Sequence, residues 1–241
     1  MADQASSRGS LIIGIAVVLA ALIGAGAVGS LKRAGDDITV TGSAKRAVQA
    51  DLAVWQLDVN VQAPNQLDAA RIARDGAVRT RAFLVKQGFP DSAITVRAPT
   101  TFAVNEYING SETGRLLGYR VTVQVEVRTA DVAKIAALAG DVGALLGENV
   151  PVVAQAPQYL YAKLPELRGP LLAEATRDAK ARAEEILKAV GSKVGRIKAV
   201  RVGVFQVTKR NSTEVNDYGM YDTSDREKEV TSVVRVTFAL Q

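Results

Sequence analysis

The sequence predicts an α+β fold in which two β-α-β-β units are joined by one extra helix. Several segments alternate strictly between apolar and polar residues, as half-buried strands do. Longer segments between them carry apolar residues at helical spacing. One of these helices recurs 103 positions later in the chain, which indicates duplication. A long apolar run before the first strand predicts that a single N-terminal transmembrane helix precedes the fold.

Three segments show the strand pattern most clearly. Their apolar residues fall on one face of an extended chain and their polar residues on the other. Such strict alternation is typical of antiparallel sheets with one solvated face. The apolar positions are Trp55, Leu57, Val59 and Val61; Val121, Val123, Val125 and Val127; and Val234, Val236, Phe238 and Leu240.

Helical periodicity marks residues 65–87, 131–146 and 164–190. Gly88 and Gly191 directly follow the first and third of these segments, where glycine in the left-handed conformation commonly ends a helix. Small residues recur on their predicted buried faces, which indicates close approach to a sheet. These faces comprise Ala69, Ile72, Ala73, Gly76, Thr80, Phe83 and Leu84 in the first helix, and Leu172, Ala175, Thr176, Ala179, Ala183, Ile186 and Leu187 in the third.

The first and third helices are related by the internal repeat. Each follows a predicted strand, at residues 52–62 or 152–161, and precedes two more. The repeat therefore predicts one unit at about 52–128, a connecting helix at 131–146 and a second unit at about 152–241. Chance identity between two amphipathic helices is the alternative. A shift of 103 residues superposes Arg74, Asp75, Arg79, Leu84 and Gly88 on Arg177, Asp178, Arg182, Leu187 and Gly191.

Residues 11–31 carry no charged side chain. A helix of this length spans roughly 30 Å, the thickness of a bilayer's hydrocarbon core. We interpret residues 1–10 as a tail, 11–31 as a transmembrane signal anchor and 32–37 as a linker to a domain at 38–241. A signal peptide cleaved near the Ala-Gly-Ala at 25–27 is the alternative, and both interpretations predict export. Ala16, Ala20 and Gly24 form a row of small residues on which neighbouring anchors can pack.

The composition excludes several classes of chemistry. The chain contains no cysteine and no histidine, so disulfides, thiol nucleophiles, histidine-bound zinc and Ser-His-Asp catalysis are ruled out. The net charge is +5, but positive and negative residues interleave without aromatic residues placed to stack bases. We therefore expect no catalytic residues, no cofactor and no nucleic-acid partner. The acids Asp217, Asp222 and Asp225, with Asn216, miss the EF-hand spacing, and we expect no metal site.

Two polar hairpin loops are the candidate interaction sites. The first, at residues 105–114, contains the turn signal Asn109-Gly110. The second, at residues 209–229, is long for a hairpin, and long polar loops tend to be disordered or functional. Aromatic and apolar residues at these tips are candidate anchors for a partner, and incidental exposure is the alternative. The candidate residues are Tyr107, Asn109, Tyr218, Met220 and Tyr221.

The chain resembles the bacterial SIMPL-domain proteins from about residue 36 to residue 241. The resemblance rests on the duplicated organisation and on the first and last strands, which are Ile-Thr-Val-Thr-Gly at 38–42 and the closing valine-rich strand. It also rests on the alanine-rich helix at 173–191 and the Lys-Val-Gly-Arg-Ile segment that follows it at 193–197. It implies an extracytoplasmic α+β domain that forms large homo-oligomers and is linked to oxidative-stress or envelope functions. It brings no catalytic residue set.

These observations support one leading hypothesis and one alternative. The leading hypothesis is a non-enzymatic, single-pass inner-membrane protein whose periplasmic domain self-assembles into a ring or cage. Lys32 and Arg33 favour a cytoplasmic domain by the positive-inside rule, but the resemblance outweighs them. The alternative is a binding module, anchored or soluble in the periplasm, that captures a ligand or an envelope protein through the loop at 209–229.

Overall fold

The computed structural model describes residues 36–141, 152–214 and 218–241. This part of the chain contains ten strands, three α-helices and a short 3-10 turn at Asp91–Ala93. In chain order they are β1 (Asp37–Gln49), β2 (Leu52–Ala63), α1 (Gln66–Lys86), β3 (Ile94–Val96), β4 (Thr100–Ile108), β5 (Ser111–Thr129), α2 (Val132–Gly140), β6 (Val152–Ala154), β7 (Gln158–Leu160), α3 (Leu164–Ala189), β8 (Val194–Val202), β9 (Gln206–Lys209) and β10 (Glu227–Leu240).

The chain forms two compact units. The described residues of the first unit are 36–44, 170–204 and 232–241. Those of the second unit are 45–141, 152–169, 205–214 and 218–231.

The second unit is built on the antiparallel pair of β2 and β5. β3 and β4 pair with the free side of β5, and β6 and β7 pair with the free side of β2. The apolar positions of the two long strands face α1, and alternation on both strands makes this face continuous. Trp55 is fully buried there, and its indole N–H donates a 2.8 Å hydrogen bond to the carbonyl oxygen of Gln155.

The first unit is built on β10, which lies between β1 and β8. Three alanines spaced four apart on α3, Ala175, Ala179 and Ala183, are fully buried. They pack against Val40, Val234, Val236 and Phe238 of the sheet. Because alanine adds so little bulk, helix and sheet approach closely.

β1 and α3 approach each other closely at Gly42 of β1. A Cβ atom at this position would lie 2.7 Å from the Cβ of Ala179 and closer still to the carbonyl oxygen of Ala175 and the amide nitrogen of Ala179. Beside it, the backbone N–H of Ser43 donates a 2.8 Å hydrogen bond to the carboxylate of Asp178. The glycine and this hydrogen bond hold β1 against α3.

The α+β class is confirmed, and so are several local predictions. α1 begins at Gln66, next to the predicted start at residue 65, and the side chain of Asn65 caps it by accepting a hydrogen bond from the N–H of Leu67. Gly88 and Gly191 have φ angles of +82° and +73° directly after α1 and α3, as predicted. The predicted buried faces are wrong at Ile72 and Ile186, which are 36% and 50% exposed because each lies at the margin of its helix's alanine-rich face.

Strands precede and follow both α1 and α3, but one strand of the predicted second unit pairs elsewhere than the repeat implies. The strand predicted at 152–161 is two short strands, β6 and β7, which pair with β2. The sheet of β8 and β10 is completed by β1 instead. β1 thus occupies beside β10 the place that β2 occupies beside β5.

Two predicted segments lie wholly or partly outside the described residues. The proposed anchor at 11–31, with Ala16, Ala20 and Gly24, is one of them. The predicted connecting helix at 131–146 is the other, since α2 covers residues 132–140 and residues 142–151 are not described. Among the residues that are described, no helix combines the length and apolar character needed to cross a bilayer.

Candidate functional site

The hairpin of β4 and β5 extends beyond the rest of its sheet. The last residue of β2 to pair with β5 is Ala63, opposite Tyr119. From Gly118 to Ser111, β5 pairs only with β4 among the described strands. We call this two-stranded extension, residues 104–118, the ribbon.

A two-residue turn closes the ribbon. Asn109 and Gly110 have φ angles of +50° and +81°, and positive φ at both central residues is what a type I′ turn requires. The turn signal is therefore confirmed, whereas the predicted loop at 105–114 is too long. The strands continue to Ile108 and from Ser111, because this turn reverses the chain in two residues.

Polar contacts within the ribbon hold its two strands together. The side-chain amide of Asn105 donates to the carboxylate of Glu112. Glu106 accepts a 2.9 Å hydrogen bond from the hydroxyl of Thr113 and lies 3.4 Å from the guanidinium of Arg115. The ribbon is thus ordered by its own side chains.

Four large apolar side chains of the ribbon are nevertheless exposed. Two-stranded hairpins without a covering layer are marginally stable in water. Exposed apolar side chains commonly mark an interaction site, and here they lie on both faces of the ribbon, because strand neighbours such as Tyr107 and Ile108 point in opposite directions. The ribbon is therefore a candidate interaction surface. The four residues are Tyr107, Ile108, Leu116 and Leu117, whose exposed fractions range from 46% to 65%.

The second predicted site, the loop at 209–229, folds back on β9. The N–H of Val207 donates to the carbonyl oxygen of Met220 over 2.7 Å, and the N–H of Asp222 donates to the carbonyl oxygen of Val207 over 2.8 Å. The hydroxyl of Tyr221 accepts from the N–H of Tyr161 and donates to its carbonyl oxygen. The loop's C-terminal half is therefore fixed in place.

A buried charged pair anchors the same loop. Lys228 is fully buried, and its ammonium donates a 2.6 Å hydrogen bond to the carbonyl oxygen of Asp222 and lies 3.5 Å from the Asp222 carboxylate. Burial lowers the pKa of Lys228, and Asp222 opposes this shift. Burial alone would raise the pKa of Asp222, but hydrogen bonds from Asp225 and Ser224, together with the charge of Lys228, lower it.

The candidate residues thus divide into exposed and anchored side chains. Tyr107 and Asn109 lie in the ribbon and are exposed. Tyr218 is 94% exposed, whereas Met220 is half-buried and the hydroxyl of Tyr221 bonds to Tyr161. The two tips belong to different strand pairs within the second unit.

Sequence reasoning missed Lys228 and the exposed apolar row on β8. Alternation extended backwards from Val234 through Val230 would have placed Lys228 on the inward face. Ile197, Val200 and Val202 pair with Phe238, Val236 and Val234, so they share the helix-facing side of the sheet. They are 47% to 56% exposed, and none of the three belongs to the core cluster that α3 forms with β1 and β10.

Within residues 36–141, 152–214 and 218–241, no group of three or more acidic side chains is arranged to hold a metal ion. The carboxylate of Asp222 is already engaged by Ser224, Asp225 and Lys228. Asn216 and Asp217 lie outside the described residues.

Comparison with known protein families identifies this architecture. The family model SIMPL, described as a protein of unknown function (DUF541), matches residues 38–238. The chain belongs to the SIMPL family. The match covers both units of the SIMPL domain and confirms the resemblance seen in the sequence. No curated protein matches the chain.

Proposed function

We propose that this SIMPL-family protein is a non-enzymatic, self-assembling protein of the bacterial cell envelope. The observation that carries the proposal is the ribbon, whose strands are ordered by their own polar contacts while its apolar side chains stay exposed. Burying these side chains against another molecule would remove apolar surface from water at roughly 25 cal/mol per Å². The absence of histidine and cysteine from the chain supports a non-enzymatic role.

The charges of the ribbon are compatible with a second copy of the same chain as its partner. Residues 104–118 contain two glutamates and one arginine, and Arg115 lies beside Glu106. Two ribbons therefore meet with little like-charge repulsion.

The exposed row of β8 supplies a second apolar surface in the same chain. β8 is an edge strand, so its outer backbone groups have no neighbouring strand among the described residues. If the two surfaces bind each other, one copy contacts the next head to tail. Such heterologous contacts form a closed ring when the rotation from one copy to the next brings the last copy back to the first. This is the support for a ring or cage rather than a simple dimer.

Light scattering on the purified, detergent-solubilised full chain tests this proposal. We expect a mass several times the 25.5 kDa of one chain. Replacing Tyr107 and Ile108 with serine should reduce that mass, whereas the matched control Val78→Ser, an exposed apolar residue on α1, should leave it unchanged. A monomeric parent protein, or equal masses for all three proteins, would contradict self-assembly through the ribbon.

Membrane anchoring and a periplasmic domain are further parts of the proposal. They rest on the uncharged run at 11–31 and on membership of the SIMPL family. Protease added to intact spheroplasts should digest the domain at 38–241 if it is periplasmic, and retention of residues 11–31 in the membrane fraction distinguishes an anchor from a cleaved signal peptide. A protected domain would place it in the cytoplasm.

A role in oxidative-stress defence is the physiological part of the proposal. It rests on the likeness to SIMPL-domain proteins alone. A deletion strain should then survive peroxide less well than its parent, and equal survival would remove this part without touching assembly.

The second candidate function is capture of a ligand or envelope protein by the loop at 209–229. It is favoured by Tyr218, which stands 94% exposed beside a segment fixed by Tyr221 and Lys228. Shortening the loop before Tyr221 should abolish binding and leave assembly intact if this function is correct. Loss of assembly would instead place the loop in the interface between copies.

A further inference from the structure

Two arginines lie directly opposite each other on the first unit's sheet. Arg235 of β10 pairs with Arg201 of β8. Since Val234 and Val236 face the core, Arg235 faces the other way, and its cross-strand partner shares that face. Like charges in this arrangement destabilise a sheet, so the pair calls for a compensating group.

No such group is present in the described part of the chain. Neither guanidinium has an ion pair or a hydrogen bond with a described residue, and both side chains are exposed. The acid at the start of β1, Asp37, is engaged by Lys198 at 3.4 Å. The positive charge of the two arginines is therefore uncompensated.

Two hydroxyl groups stand beside the arginines. The hydroxyl oxygens of Thr39 and Thr237 are 2.9 Å apart, and either can donate to the other. One hydrogen bond uses one of the two hydroxyl protons, so the other proton is available to a ligand.

The four side chains line one open depression of about 290 Å³, which has Ala199 as its remaining lining residue. No carboxylate lines it. Guanidinium groups bind phosphate oxygens through paired N–H donors, and a tetrahedral oxyanion has enough oxygens to accept from both arginines and a hydroxyl at once.

We propose that Arg201 and Arg235, with the hydroxyls of Thr39 and Thr237, form a binding site for a phosphate group on the face of this sheet opposite α3. The phosphate group belongs either to a free phosphate or phosphomonoester or to a lipid headgroup. The site is independent of the self-assembly proposed above, since it uses neither the ribbon nor the apolar row of β8.

The test is a binding measurement on the purified full chain in a non-ionic detergent at constant ionic strength. Isothermal titration with inorganic phosphate is compared for the parent, Arg201→Gln, Arg235→Gln and the control Arg177→Gln. Arg177 is exposed on α3, so its substitution removes the same charge from the same unit outside the depression. Each site variant should weaken binding about tenfold or more, because each removes charge-assisted hydrogen bonds, and the control should bind like the parent.

Thermal unfolding without phosphate supplies a second readout. Removing one of two opposed positive charges should raise the melting temperature of Arg235→Gln above that of Arg177→Gln, and added phosphate should raise the melting temperature of the parent but not of Arg235→Gln. A short-chain phosphatidic acid below its micellar concentration then distinguishes the source. Binding of inorganic phosphate points to a free phosphate, and binding of the lipid alone points to a headgroup.

Two outcomes would overturn the proposal. One is equal binding, or no binding, of both probes by the parent and all variants. The other is a lower mass by light scattering for Arg201→Gln or Arg235→Gln, together with no binding of either probe by the parent. That result would assign the arginines to an interface between copies.

Discussion

Replacing Gly42 with alanine is expected to destabilise the first unit by about 2–4 kcal/mol. The new Cβ would lie 2.7 Å from that of Ala179, whereas carbon atoms in contact are about 3.5–4.0 Å apart. β1 and α3 must therefore separate by roughly 1 Å. Overpacking of this kind costs about 1–3 kcal/mol.

The separation also lengthens the hydrogen bond from Ser43 to Asp178. That bond is the main reason why the pKa of Asp178 is lowered, with burial opposing it and Arg182 adding to it. A hydrogen bond to a charged group contributes about 1.5–3 kcal/mol, and partial solvent exposure of Asp178 reduces this to about 1 kcal/mol. Since whole domains are stable by only about 5–15 kcal/mol, the loss should be easily measured.

The assay is urea unfolding of the full chain in detergent, followed by far-UV circular dichroism, with amide hydrogen exchange over residues 170–189. The control is Gly140→Ala, because Gly140 is exposed at the end of α2 and a Cβ there would have no atom within 4 Å. This control should be neutral or stabilising, since alanine is the better helix former.

A second substitution separates the causes. Ala179→Gly in the Gly42→Ala background removes the Cβ contact but leaves the backbone atoms of Ala175 and Ala179 in place. It should therefore fail to restore stability. Parent-like unfolding of Gly42→Ala, or full rescue by Ala179→Gly, would refute the close packing of β1 against α3.

Three further predictions concern the second unit. Asp222→Ala should destabilise the protein by about 1–3 kcal/mol in urea unfolding at pH 7, because it leaves the buried Lys228 without its carboxylate. The folded state lowers the pKa of Asp222, so the stability that its ionised carboxylate contributes is complete above the ordinary pKa of 3.8 and disappears as the pH falls below it. Between pH 6 and pH 2 the free energy of unfolding should therefore fall less steeply in Asp222→Ala than in the parent. Burial lowers the pKa of Lys228 from 10.5, so parent stability should gain from its deprotonation as the pH rises towards that value, and Lys228→Met should lack this gain. Gly118→Ala should lower the melting temperature, because its Cβ would lie 2.5 Å from the carbonyl oxygen of Ala63. Gly114→Ser should lower it less, because a Cβ at residue 114 meets no atom within 4 Å and the only cost is the strain of a φ angle of +79°. A larger loss for Gly114→Ser than for Gly118→Ala would contradict the approach of β2 to β5 at this point.

Local features of the fold could be predicted from the sequence. Alternation located the long strands because each buries only one face. The Asn109-Gly110 turn and the glycines after α1 and α3 were predictable because few other residues adopt positive φ readily. The break that divides the strand predicted at 152–161 coincides with Pro157, and Pro99 likewise lies between β3 and β4, since proline cannot donate to a strand ladder.

Features that depend on distant pairing could not be predicted. The placement of β1 beside β10 joins residues nearly 200 positions apart, and no local pattern specifies it. The opposition of Arg201 and Arg235 is visible only once the register of β8 against β10 is known. The exposure of the ribbon likewise follows from β2 ending at Ala63 while β5 continues, which neither strand's alternation indicates.

The most direct test of self-assembly through the ribbon is the labelling rate of a single thiol. The chain has no cysteine, so Tyr107→Cys introduces a unique reactive site in the ribbon, and Leu67→Cys, at an exposed position on α1, provides the reference. In the purified full chain we expect the thiol at residue 107 to react with a maleimide at least tenfold more slowly than the thiol at residue 67, and the two rates to become equal in denaturant. Equal rates in the native protein would contradict burial of the ribbon between copies.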